Sequence, residues 1–151
     1  MTPTHTFESI LGDLLHVGVD FILVGGLAVE LCGFTRATLD VDILIEDNDA
    51  NIARLIEALQ HFADGAASEL TVADFTPEEG CIRIVDDFAL DIFTRMSGKS
   101  YVDLLGFTDE YQHKQGLLKH LSIEGLILLK QNSLRPKDQI DVMELKRLKA
   151  E

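Results

Sequence analysis

The stretch LDVDILIE, Leu39 to Glu46, alternates with a period of two: Leu39, Val41, Ile43 and Ile45 share one face, and Asp40, Asp42, Leu44 and Glu46 share the other. That pattern specifies a β-strand. It also sets the carboxylates of Asp40 and Asp42 on one side of the chain, about 7 Å apart along the backbone. Two like charges so placed repel each other, and a divalent cation relieves the repulsion. Hard Mg²⁺ in particular takes a few carboxylate oxygens together with phosphate oxygens and water. The alternative is a strand with one solvated face, which accounts for the alternation equally well.

Upstream, the apolar run FILV ends at Gly25 and Gly26, and LAVELCG then fits two turns of helix closed by Gly33. A turn from strand through two glycines into helix lets backbone amides approach a ligand closely, and a helix N-terminus favours phosphate. A tight turn with no ligand is the alternative for the same two residues. Downstream, CIRIV and FALDIFT are two strand-like runs joined by Asp86 and Asp87, which suggests a hairpin. Asp91 sits in the second run on the otherwise apolar face of Ala89 and Phe93, where an unpaired carboxylate is costly. Pairing that strand beside the first brings a third carboxylate to Asp40 and Asp42, which would make a two-metal centre.

The remaining pattern is mixed. Phe7, Ile10, Leu11, Leu14 and Leu15 form an amphipathic first helix that GVD breaks, and Ile52, Leu55, Ile56, Leu59 and Phe62 form the stripe of a third. Gly65 to Gly80 carries little pattern. In the tail, Ser122 caps SIEGLILLK, and Pro136 opens a last helix, so the C-terminal segment from about residue 122 is helical. The expected class is α+β, a small mixed sheet flanked by helices, in one domain of 151 residues.

Charge and cysteine content exclude some functions. The net charge of −13 repels a polyanion at long range, which argues against a general nucleic-acid coating protein. No apolar run approaches the roughly 20 residues that span a bilayer, and MTPTHTFESI lacks the basic and apolar regions of a signal peptide, so a cytoplasmic protein is expected. Cys32 and Cys81 have no CxxC spacing and read as small buried hydrophobes, and the five histidines have no zinc-ligand spacing.

The spacing of VGG, Val24 to Gly26, from DVD, Asp40 to Asp42, resembles the signature of the DNA polymerase beta-like nucleotidyltransferase superfamily. GFTRATLDVD and the tail LILLKQNSLRPKDQIDVMEL look like its small bacterial branch, which includes AbiEii-type toxins. Many members carry Ser where this chain has Gly26, so here backbone amides alone would serve the phosphate. The resemblance implies transfer of a nucleoside monophosphate from an NTP to an acceptor hydroxyl, with two Mg²⁺ ions, for which Mn²⁺ can substitute. One ion would be held by Asp40, Asp42 and Asp91, the other by Asp40 and Asp42. It also makes Lys130, Lys137 and Arg36 candidates for phosphate contacts, beside Gly25 and Gly26. The bland readings are that Lys130 opposes a helix dipole and that Lys137, Asp138 and Asp141 form an exposed face or a Lys-Asp pair. The acceptor is open among tRNA, protein and small molecule, and a second copy or small partner protein is the expected complement to so short a chain. A toxin-antitoxin role follows from the resemblance alone, and the competing reading of the whole is a catalytically silent nucleotide-binding or protein-interaction module.

Overall fold

In the computed structural model, which describes residues 6–33 and 40–150, the FILV run is strand β1 (Phe21–Val24), buried throughout. LDVDILIE supplies β2 (Asp40–Ile45), antiparallel to β1 with Val24 opposite Asp42. The expected hairpin is present as β3 (Ile82–Val85) and β4 (Ala89–Phe93), and β4 runs parallel to β2. Two further strands, β5 (Thr108–His113) and β6 (Gly116–Leu121), form where the sequence pattern assigns no element. β6 lies parallel to β1, so the sheet order is β3-β4-β2-β1-β6-β5. β5 escapes the pattern because it is an edge strand: Asp109, Glu110, Tyr111 and Gln112 are all exposed, so no buried face imposes alternation on them.

Helices cover both faces. On one, Val41, Ile43, Ile45, Leu90 and Ile92 join a core with α1 (Phe7–Val17) and α3 (Asp49–Ala58). Thr6 and Ser9 cap α1 reciprocally, and Gly18 ends it in the left-handed conformation at φ 88°. On the other face, Ile22, Val24 and Leu44 pack with Ala28 and Val29 of α2 (Gly25–Leu31) and Tyr101 and Leu104 of α4 (Tyr101–Leu104). Leu126 of α5 (Ile123–Lys130) and Leu145 of α6 (Pro136–Lys149) complete that core. Ser122 and Pro136 occupy their expected N-terminal positions on α5 and α6. α3 stops at Ala58, short of the stripe that reached Phe62; Phe62 is still buried, but it opens a separate 3₁₀ segment, Phe62–Glu69. The weakly patterned stretch after it holds a second short 3₁₀ turn, Val72–Asp74. Among the described residues no helix is long and apolar enough to cross a membrane.

One buried amide ties the two central strands together outside the sheet. Asn51, fully buried in the first turns of α3, accepts the Asp20 N–H at 2.7 Å and donates to the carbonyls of Asp20 at 2.9 Å and Glu46 at 2.8 Å. It thereby holds the residue before β1 against the residue after β2. Asn51→Ala removes the partners of the Asp20 N–H and the Glu46 carbonyl, while the Asp20 carbonyl keeps the Glu46 N–H at 3.2 Å, and should cost about 2 kcal/mol in urea denaturation. Asn51→Asp should cost at least as much, since it turns the two-carbonyl donor into a third acceptor.

Candidate active site

The parallel pairing of β2 with β4 sets Asp42 directly beside Asp91, and the antiparallel pairing of β3 with β4 sets Arg83 directly opposite Asp91. Alternation puts Asp40, Asp42 and Asp91 on the sheet face that carries Leu44, away from Val41, Ile43, Leu90 and Ile92. The three aspartates named from sequence are thus neighbours on adjacent strands. Asp91 is buried, whereas Asp40 and Asp42 are partly open to solvent.

Two features of the chain crowd this face. Asp42 lies against Gly25, where β1 turns into α2: a Cβ at position 25 would collide with the Asp42 carboxylate, and the φ of 68° is itself in the region that favours glycine. Gly25 is therefore required twice, by conformation and by close approach. Gly26 follows as the second residue of α2, whose N-terminus has no side-chain cap. The second feature is Arg83, which the sequence reading missed. Its Nε donates to Asp91 Oδ1 at 2.8 Å and its Nη2 to Asp91 Oδ2 at 2.9 Å, while Nη2 lies 3.6 Å from Oδ2 of Asp40. One guanidinium thus spans two of the three carboxylates.

Sequence contained a signal for Arg83, but one residue hid it. A two-residue turn at Asp86 and Asp87 would place Arg83 opposite Leu90, on the wrong face. The connection is three residues long, 86–88, so Val85 meets Ala89 and Arg83 meets Asp91.

The carboxylates shift one another. Burial first, then the hydrogen bond and charge of Asp91 and the charge of Asp40, push the Asp42 pKa up to about 7, and Arg83 opposes the rise only in part. Near neutrality Asp42 therefore carries a proton for part of the time. Cys81, expected to be buried, is exposed; what desolvation remains, together with the Asp91 carboxylate, raises its thiol pKa and disfavours the reactive thiolate.

The remaining candidates lie elsewhere. Lys130, at the end of α5, donates to Asp138 Oδ1 and Asp141 Oδ2, both at 3.0 Å, and Ser133 Oγ donates to Asp138 Oδ2 at 2.7 Å. Two of the three ammonium donors of Lys130 are thus used in pairs that clamp α5 to α6. Lys137 is exposed in the first turn of α6, and Arg36 lies outside the described residues.

The residue types are those a divalent cation takes, three carboxylates from two strands with Asp91 buried and the Asp42 pKa raised by burial and by Asp91. Among the described residues, however, no three histidine, cysteine, aspartate or glutamate side chains converge closely enough to hold a metal ion as they stand. Both oxygens of Asp91 accept from Arg83.

No protein-family model matches the sequence, and no curated protein matches it. Among solved structures, the chain is similar to one from Thermotoga maritima described as a "putative nucleotidyltransferase". The two share 15% identity with a TM-score of 0.51, over 91% of this chain and 86% of that one. The chain has a nucleotidyltransferase-like fold. At that identity the likeness speaks for the fold alone.

Two outcomes are expected here. The Asp42 pKa is higher folded than unfolded, so its favourable contribution is complete below pH 3.8 and is lost as pH rises to about 7. Urea denaturation of metal-free protein should therefore show Asp42→Asn losing less stability than the wild type between pH 5 and pH 8, by about 1–2 kcal/mol after discounting for solvent at the group. Separately, Lys130→Met removes an ion-pair partner from both Asp138 and the buried Asp141 and should cost about 2 kcal/mol in the same assay. A lysine that served only a nucleotide would leave stability unchanged.

Proposed function

We propose that this protein is a metal-dependent nucleotidyltransferase that moves a nucleoside monophosphate from an NTP to an acceptor hydroxyl. The observation that carries the reading is the placement of Asp40, Asp42 and Asp91 side by side, with Asp42 in contact with the glycine that opens α2. A partly buried like-charge cluster has an electrostatic cost, and a site for a multivalent cation accounts for it. The nucleotidyltransferase-like fold supports the same reading.

In this reading Asp40, Asp42 and Asp91 hold Mg²⁺ or Mn²⁺. When bound, such ions supply Lewis acidity, easing deprotonation of the acceptor hydroxyl and neutralising triphosphate and departing pyrophosphate. The chain supplies the rest by position. Gly25 lets the backbone at the start of α2 come up to Asp42, and backbone N–H groups there would be the chain's donors toward phosphate. Asp42, whose pKa is raised without metal, would have to be ionised to hold the cation. The acceptor, whether RNA, protein or small molecule, and a place in a toxin-antitoxin pair belong to the same proposal, on the strength of the GFTRATLDVD resemblance.

One observation favours a second reading, a silent module that keeps the fold. The guanidinium of Arg83 already neutralises Asp91 and leans on Asp40, as a permanent counter-ion in a retired site would.

A label-transfer assay separates the two. Full-length wild type and Asp40→Asn/Asp42→Asn are incubated with each α-labelled NTP, Mg²⁺ or Mn²⁺, and cell RNA, cell protein or small-molecule acceptors. The transferase reading expects a labelled product that the double variant reduces at least ~100-fold. Product that survives the substitution would rule out the aspartates as the site. Mn²⁺ calorimetry covers the case of a missing acceptor: binding lost in the double variant supports the enzyme, and no binding by the wild type supports the silent module.

A further inference from the structure

We propose that Arg83 and a divalent cation are alternative partners of Asp91, and that the guanidinium, once displaced, turns to the triphosphate of the nucleotide. The inference rests on the reading above that the aspartates hold metal, and extends it to a residue outside the metal-ligand set.

The argument starts from occupancy. Arg83 engages both oxygens of Asp91, at 2.8 and 2.9 Å, and approaches Asp40 at 3.6 Å, so its charge stands where a metal ligated by those two carboxylates would stand. Each Asp91 oxygen keeps a second lone pair, but a cation shared by Asp91 and Asp40 would need the space that Nη2 holds between them and would meet its positive charge. Protonation offers no escape, because a guanidinium stays charged at any pH the protein tolerates. The exchange is therefore a displacement of one cation by another, and a cluster of three carboxylates is not left bare at any stage.

The structure also lets Arg83 leave. Its place in the sheet is secured by backbone pairing with β4, which does not involve the side chain. β3 is the edge strand, and the Arg83 side chain is 55% exposed against 6% for Asp91. Rotation about its side-chain bonds can therefore carry the guanidinium into solvent with no change in the core. Once free, it is a planar fork anchored one strand away from the metal ligands. A fork that fits carboxylate oxygens in pairs fits phosphate oxygens in the same way, whereas a lysine supplies only a point charge. Metal-bound triphosphate is the anion that would be present at that moment and place.

The test uses the full chain without turnover. Mn²⁺ alone is titrated calorimetrically into wild type, Arg83→Gln and Asp40→Asn/Asp42→Asn, with circular dichroism to match their folds. A non-hydrolysable α,β-imido NTP is then titrated at saturating Mn²⁺. The two affinities should move in opposite directions: Arg83→Gln should bind Mn²⁺ ~10-fold more tightly than wild type and the analogue ~10-fold more weakly. Should Arg83→Gln misfold, Arg83→Lys should shift both affinities the same way by less. Mn²⁺ binding by Arg83→Gln no tighter than wild type overturns the exchange while leaving the metal site standing, provided that the double aspartate variant has lost Mn²⁺. Unchanged analogue affinity overturns the transfer to triphosphate. Absence of Mn²⁺ binding in wild type and Arg83→Gln alike overturns the metal reading and this inference together.

Discussion

Everything around the candidate site follows from one awkward contact, two carboxylates side by side on parallel strands. Asp42 and Asp91 sit at the same level of β2 and β4, and burial leaves little water to screen them. The protein answers in three ways at once. The Asp42 pKa is raised, a guanidinium lies across Asp91 and Asp40, and the chain gives up a side chain at Gly25 so that Asp42 fits at all. Each answer is a local cost accepted around one spot, while the other buried residues of β1, β2 and β4 are apolar. Such a departure from consistent core packing is what a functional site produces.

Much of this was legible in the sequence, and the legible parts share a cause. Wherever one face of an element is buried, hydrophobic spacing betrays it: β1, β2 and the β3–β4 hairpin, and α1, α5 and α6 through their caps and stripes. The aspartates stood out for the same reason, as charged residues at positions the pattern reserves for a sheet face. β5 and β6 were not legible, since β5 is exposed along most of its length and β6 carries Lys119 and His120 among its apolar residues. The 3₁₀ region after α3 was equally opaque: Ala63 and Asp64 adopt positive φ, of 51° and 55°, which their residue types do not advertise.

The part of the site that sequence missed depends on register rather than on residue type. An arginine in an edge strand is unremarkable in composition, and only the length of the β3–β4 turn decides whether it meets an aspartate or points to the other face. Lys130 makes the converse point. It was singled out as a phosphate contact by resemblance, yet its geometry is that of a clamp between two helices, joined to partners 8 and 11 residues further along the chain.

The sheet order has a consequence for how the chain can be assembled. β1, wholly buried, lies between β2 and β6, so its second neighbour comes from about a hundred residues further along the chain. During synthesis the hairpin of β3 and β4 can dock on β2, and α1 and α3 can cover one face, while β1 still shows an unpaired apolar edge to the solvent. Until Gly116–Leu121 has left the ribosome, that edge is open to any other strand, including the same edge of a second nascent chain. A strand that the finished protein hides completely is thus the one its biosynthesis exposes longest.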